Sequence, residues 1–109
     1  MNIQTVQKGR QHVVRLQGTL AGADADLLRS HLGSLVRQAE LVLDCSQLKF
    51  LDSRALEVLA ETAELRIREG RTLRLAGVGP TLREVLELTE LAALFELLPA
   101  VPETAEAAT

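Results

Sequence analysis

The chain has 109 residues, 47% of them apolar and 25% charged, which is the length and composition of one domain built on one core. Its net charge of -3, from 12 Lys and Arg interspersed with 15 Asp and Glu, leaves no basic footprint for nucleic acid or an anionic membrane surface. With no Trp or Tyr, only Phe50 and Phe95 offer a ring to stack on a base. The longest apolar run is about five residues against the roughly 20 that a membrane-spanning helix needs, and the first residues lack the pattern of a signal peptide. The lone Cys45 excludes an internal disulfide or a multi-cysteine metal site, and these features together predict a cytoplasmic location.

Residues 3–7 and 12–17 are short and rich in Val, Ile and Thr, and Lys8-Gly9-Arg10 between them supplies a hairpin turn. After a loop over residues 18–22, Asp24 is expected to cap a helix that carries Leu28, Leu32, Leu35 and Val36 at helical spacing as far as Arg37. Residues 41–45, Leu-Val-Leu-Asp-Cys, read as a strand buried on both faces, with Cys45 a small buried thiol rather than a nucleophile. A second helix over residues 54–69 places Leu56, Leu59, Ala60, Ala63 and Ile67 on one stripe, with Gly70 at a left-handed C-cap.

Residues 72–75 read as a strand. Gly79-Pro80 then opens a third helix with Leu82, Val85 and Leu86 facing inward, and residues 95–98 form a short fifth strand that stops at Pro99. Residues 99–109, rich in Ala and Glu, are expected to be a short helix or disordered, which leaves residues 1–98 as the domain. Helices alternating with strands after an opening hairpin predict an α/β fold, a mixed, mostly parallel five-stranded sheet covered by three to four helices.

Little in the chain is arranged for catalysis. His12 and His31 are neither at zinc-ligand spacing nor beside Cys45 and read as structural, so no metal site is expected. Gly77-Val78-Gly79 lies between a strand and a helix in the manner of a dinucleotide loop, but Leu82 stands where the third glycine belongs. There is no Walker loop, no nucleophile elbow and no carboxylate pair forced together by spacing. The reading is a non-enzymatic binding or switching protein without a cofactor.

The stretch Phe50-Leu51-Asp52-Ser53-Arg54-Ala55-Leu56 is where an apolar run becomes a helix. Asp52 and Ser53 both have side chains suited to accepting hydrogen bonds from the free N–H groups of the first turn. Arg54 is unexpected there, since a cation in the first turn opposes the helix dipole, and a weak intrahelical pair with Glu57 is expected to offset part of that cost. At 100° per residue, Arg54, Val58, Glu61 and Leu65 fall opposite the predicted core stripe. Two apolar residues on an outer face read as a partner-docking surface with Arg54 and Glu61 as its charged rim.

Over most of its length the chain resembles the STAS domain of bacterial anti-sigma factor antagonists. In that family a strand ending Asp-Leu-Ser leads to Asp-Ser-Ser-Gly-Leu at a helix start, matched here by Asp44-Cys45-Ser46 and by Asp52-Ser53-Arg54-Ala55-Leu56. The family's Val-Ser-Pro and Leu-Leu-Glu-Leu-Thr-Gly-Leu are mirrored by Val78-Gly79-Pro80 and Val85-Leu86-Glu87-Leu88-Thr89-Glu90-Leu91. The resemblance implies a STAS-like fold and a non-enzymatic partner-switching protein. Its unphosphorylated form would bind an anti-sigma factor of histidine-kinase-like fold and so free a sigma factor; a homodimer is compatible with it.

The family's phosphoacceptor is the second hydroxyl residue of its motif, and that position here is Arg54, which takes no phosphate. Asp52, Ser53 and Arg54 are thus a degenerate acceptor region, with Ser53 matching the family's first serine. The acidic Gly-Glu-Leu-Asp that often precedes helix one is replaced by Gly18-Thr19-Leu20-Ala21, and the glycine after Leu-Glu-Leu-Thr by Glu90. An alternative implied by resemblance is the small STAS subunit of a lipid-transport ABC system, which docks on a transporter ATPase. A nucleotide-binding module using the start of helix two and the Gly77 to Gly79 loop ranks below both.

Overall fold

The structure, a computed structural model, describes residues 3–102. Strand β1 (Ile3–Lys8) turns at Gly9, which takes φ 62°, and pairs antiparallel with β2 (Gln11–Leu20). Helix α1 (Asp24–Leu35), β3 (Glu40–Leu51), α2 (Ser53–Arg68), β4 (Leu73–Ala76) and α3 (Pro80–Leu88) follow, then a 3₁₀ turn (Ala92–Leu94) and β5 (Phe95–Leu98). The strands lie in the order β1-β2-β3-β4-β5, and every pair after the first is parallel. This is the mixed five-stranded α/β sheet anticipated, with three α-helices.

Right-handed crossovers that all advance in one direction along a sheet put their helices on one face, and the core lies there. Val14, Leu16, Leu41, Leu43, Leu73, Leu75 and Phe95 point from the strands into a cluster with Leu28 and Leu32 of α1, Ala55, Leu59 and Ala63 of α2 and Leu86 of α3. The opposite face buries Val13, Val42 and Ala76 and carries the Arg74–Glu96 pair, 3.3 Å apart. After β5 the chain returns to β2, where Gln11 Nε2 donates to the carbonyl of Pro102 at 3.0 Å. Of the tail expected as helix or disorder, residues 103–109 lie outside the described residues.

Several boundaries moved for identifiable reasons. β2 runs to Leu20 through what reads as loop, because Gly18 (φ 69°) absorbs a register irregularity inside the strand. β3 is far longer than residues 41–45, since two bulges let it continue past polar residues. Cys45 and Ser46 together oppose the single Leu16 of β2, and Lys49 is an extra residue between the pairs Gly18 with Leu48 and Thr19 with Phe50. Asp44 Oδ1 holds the first bulge by accepting from both the N–H (3.0 Å) and the hydroxyl (2.7 Å) of Ser46. α1 stops at Leu35, and Asp24 does not cap it; its Oδ2 instead accepts from the Ala21 N–H at 3.0 Å.

The buried stripe of α2 is Ala55, Val58, Leu59, Thr62, Ala63 and Arg66, an i, i+3, i+4, i+7, i+8, i+11 series. The hydropathy-based stripe shares only Leu59 and Ala63 with it, because two members of the true stripe are polar. Thr62 Oγ1 donates to the Val58 carbonyl at 2.8 Å. Arg66, only 2% exposed, donates from Nε to Thr72 O (2.9 Å) and from Nη1 to Val36 O (3.0 Å) and Gln38 O, with Ala39 O at 3.4 Å from Nη2. Burial lowers the Arg66 pKa, and the neighbouring charges of Arg71 and Arg74 lower it further. Ile67, placed in the core by the expected stripe, is 48% exposed.

Helix ends follow the expected chemistry at one site and defy it at another. Gly70 closes α2 in the left-handed region (φ 73°), with the Arg71 N–H reaching back to Arg66 O at 2.8 Å. The same wrap ends α3, with Leu91 N–H on Leu86 O at 2.9 Å, but the left-handed residue is Glu90 (φ 61°), the lone non-glycine with positive φ among the described residues. Replacing Glu90 with Gly is expected to stabilise the domain by about 0.5 to 1 kcal/mol by removing that strain. Thermal unfolding followed by circular dichroism checks this as a rise of roughly 2 to 5 °C, and a lowered Tm refutes it.

Candidate functional site

The site forms where β3 hands over to α2. Asp52 adopts extended backbone (φ -82°, ψ 176°) as the N-cap, and Ser53 is the first helical residue. The Asp52 carboxylate accepts from the Ala55 N–H through Oδ1 (2.9 Å) and from the Gly22 N–H through Oδ2 (2.9 Å), while its own N–H donates to Leu20 O at 2.9 Å. One aspartate therefore caps α2 and pins the turn between β2 and α1. The Ala55 N–H, then the Gly22 N–H, then the Arg54 cation hold its carboxyl below the usual carboxylate range. Ser53, expected to share the cap, is exposed and its hydroxyl makes no hydrogen bond among the described residues.

Arg54 is exposed and pairs with α1 rather than with Glu57: its Nη2 lies 3.7 Å from Asp26 Oδ1, between side chains 61% and 74% exposed. Two turns further along α2, Arg29 Nη1 of α1 meets Glu61 Oε2 at 2.6 Å. Exposed pairs of this kind add little stability, but they show that α1 lies along this face of α2. That corrects the docking face inferred from helical spacing. Val58 is 1% exposed and belongs to the core between the helices, while Leu65 stays 46% exposed. Arg54, Glu61 and Leu65 remain accessible without the apolar residue that was to join them.

A feature the sequence reading missed lies on the other side of Asp52. β4 pairs with β3 only from Val42 to Asp44 and stops at Ala76. Gly77 (φ 69°) then turns the chain so tightly against the first bulge that an added Cβ would stand 3.0 Å from Ser46 Cβ and 3.2 Å from its backbone. Beyond that point β3 has no strand on its β4 side, and α3 stands off from it. The gap is a groove of about 480 Å³, walled by Leu48 and Phe50 of β3, Leu56 of α2 and Leu82 and Val85 of α3, with Cys45 at its floor. Val85, expected inward, is 36% exposed at the groove's edge.

Burial pushes the Cys45 thiol up to about 12, and the charge of Asp44 adds to the shift, so the sulfur remains a protonated, apolar surface. Among the described residues there is no group of three His, Cys, Asp or Glu side chains suited to a metal, and no helix long and apolar enough to cross a membrane.

The sequence matches the family model of the STAS domain over residues 2–107. The chain belongs to the STAS domain family. Its fold is similar to that of an anti-sigma factor antagonist from Mycobacterium paratuberculosis, at 29% identity over 91% of this chain and 86% of that one, with a TM-score of 0.78. It is also similar to the Bacillus cell fate determinant SpoIIAA in its phosphorylated form, at 20% identity over 97% and 95% of the two chains, with a TM-score of 0.72. A sulfate transporter family protein from Wolinella succinogenes aligns at 20% identity over 88% and 82%, also with a TM-score of 0.72. No curated protein matches the sequence. The fold is thus shared by an anti-sigma factor antagonist and a sulfate transporter family protein, and the STAS family is generally non-enzymatic.

Proposed function

We propose that this STAS domain is a partner-binding regulator of the anti-sigma factor antagonist type, docking on an anti-sigma factor of histidine-kinase-like fold and working without the standard serine phosphorylation. The observation that carries the reading is Arg54. In the family pattern it stands at the acceptor position, it has no hydroxyl, and here it is exposed at the second residue of α2 beside a fully engaged Asp52. An acceptor lost while its capped helix start is intact suits a domain held in its binding-competent state. The surface around it supports a protein contact: Phe50 is 56% exposed, Arg54 offers a planar cation, and aromatic and arginine side chains are favoured anchors at interfaces. The docking face we assign is accordingly Phe50, Ser53 and Arg54, with Glu61 and Leu65 at its outer limit and Val58 excluded. Such a partner acts in the cytoplasm, and the domain is assigned there with it.

Capture from native lysate followed by mass spectrometry, combined with a kinase assay, tests the proposal. The expected partner is an anti-sigma factor. In the presence of that partner and ATP the unaltered domain gains no phosphate, while Arg54→Ser gains one on the restored hydroxyl. Capture of a transporter ATPase would replace this reading with the lipid-transport alternative. Phosphate on Ser53 of the unaltered chain would overturn the claim that phosphate control is lost.

A further inference from the structure

The groove between β3 and α3 has a chemistry of its own, beside the docking face with which it shares Phe50 and Ser53. Its volume of about 480 Å³ falls within the roughly 300 to 1,000 Å³ typical of small-molecule sites. Its walls are leucine, phenylalanine and valine, and its floor is an uncharged thiol. Two charged residues line it, Asp52 and Lys49. Both oxygens of Asp52 are occupied by backbone N–H groups. Lys49, the extra residue of the second β3 bulge, makes no ion pair or hydrogen bond among the described residues. The lining hydroxyls are those of Ser53, Thr81 and Thr89, and the last of these is spent on the Val85 carbonyl at 2.7 Å. The groove therefore presents an apolar slot lined, among the described residues, by one cation without a partner, Lys49, one anion whose oxygens are held by backbone N–H groups, Asp52, and two free hydroxyls.

We infer that this groove binds a free fatty acid, its single apolar chain lying between β3 and α3 with its carboxylate at Lys49. Apolar burial along Leu48, Leu56, Leu82 and Val85 supplies most of the affinity, and Lys49 selects the sign of the headgroup. The starts of α2 and α3 both border the groove, and α3 has no side-chain cap at Gly79, so the local backbone also favours a negative head.

Titration calorimetry on the isolated domain with dodecanoate, below its micellar concentration, tests the inference. One saturable site is expected, with dodecylammonium binding more weakly and acetate, which has the head without the chain, not at all. Lys49→Gln is expected to weaken dodecanoate by up to roughly fivefold, the range of one exposed ion pair. Val85→Glu, which sets a carboxylate at the groove's edge on a residue already part-exposed, is expected to weaken it by roughly tenfold or more. Amide chemical shifts of the unaltered domain should move in β3 and along α3, which locates the ligand even if a variant misfolds. Absence of saturable binding, equal binding of the two head charges, or shift changes confined elsewhere would each overturn it. No partner protein is involved, so failure here leaves the anti-sigma factor reading standing.

Discussion

Arg66→Met is expected to cost the domain about 2 to 4 kcal/mol of stability and to lower Tm by more than roughly 10 °C. The methionine fills most of the volume of the arginine stem, so the loss is polar rather than a cavity. One guanidinium donates to carbonyls from two connections, Val36, Gln38 and Ala39 between α1 and β3, and Thr72 between α2 and β4. Removing it leaves buried acceptors without donors, which costs more than the desolvation relieved by deleting a cation that has no carboxylate partner among the described residues. Arg66→Lys separates the two contributions. An ammonium keeps the charge but not the fork, so it should recover only part of the loss. A methionine variant that melts within about 2 °C of the parent would show that water or loop movement satisfies those carbonyls.

Val58→Asp is expected to be at least as damaging, by about 3 to 5 kcal/mol, because Val58 is 1% exposed in the layer between α1, α2 and the sheet. A carboxylate there meets apolar neighbours and no donor. Leu65→Asp, on the same helix but 46% exposed, should change stability by no more than about 0.5 kcal/mol. Urea unfolding monitored by far-ultraviolet circular dichroism distinguishes them, with a large drop in midpoint for the first and almost none for the second. Similar midpoints would restore Val58 to the outer face. Only Leu65→Asp is thus suited to probing a docking surface, since loss of binding by the Val58 variant would report unfolding.

The contrast between these two residues explains how far the sequence is legible. Element order and type were readable because each unit has its own punctuation: Gly9 in the hairpin, Gly70 after α2, Pro80 at the start of α3. The orientation of α2 was not, because its true inner stripe includes Thr62 and Arg66, whose polar atoms are satisfied only by partners distant in sequence or hidden in the helix backbone. Hydropathy alone therefore turned the helix toward Leu56 and Ile67 and left Val58 outside.

At the site, the Asp52 cap was legible from residue type and position. Its second bond, to Gly22 thirty residues away, was not. The groove was invisible for a related reason: its existence depends on where β4 stops relative to β3, and the β3 extension is written in polar residues, Ser46, Gln47 and Lys49, that break the pattern of a strand. The signal available was Leu48 and Phe50, two large apolar residues beyond that interruption.

The spatial order of the strands, identical to their order along the chain, bears on how the molecule assembles. Every strand pairs with the one synthesised just before it, so no hydrogen-bonded ladder has to wait for a remote segment, and each loop closed spans a single crossover. Growth can start at the β1–β2 hairpin and add one helix–strand unit at a time as the ribosome releases it. An emerging chain would carry a sheet that grows at one edge while β1 stays the other, instead of a collapsed mixture of pairings, with β5 the last strand added.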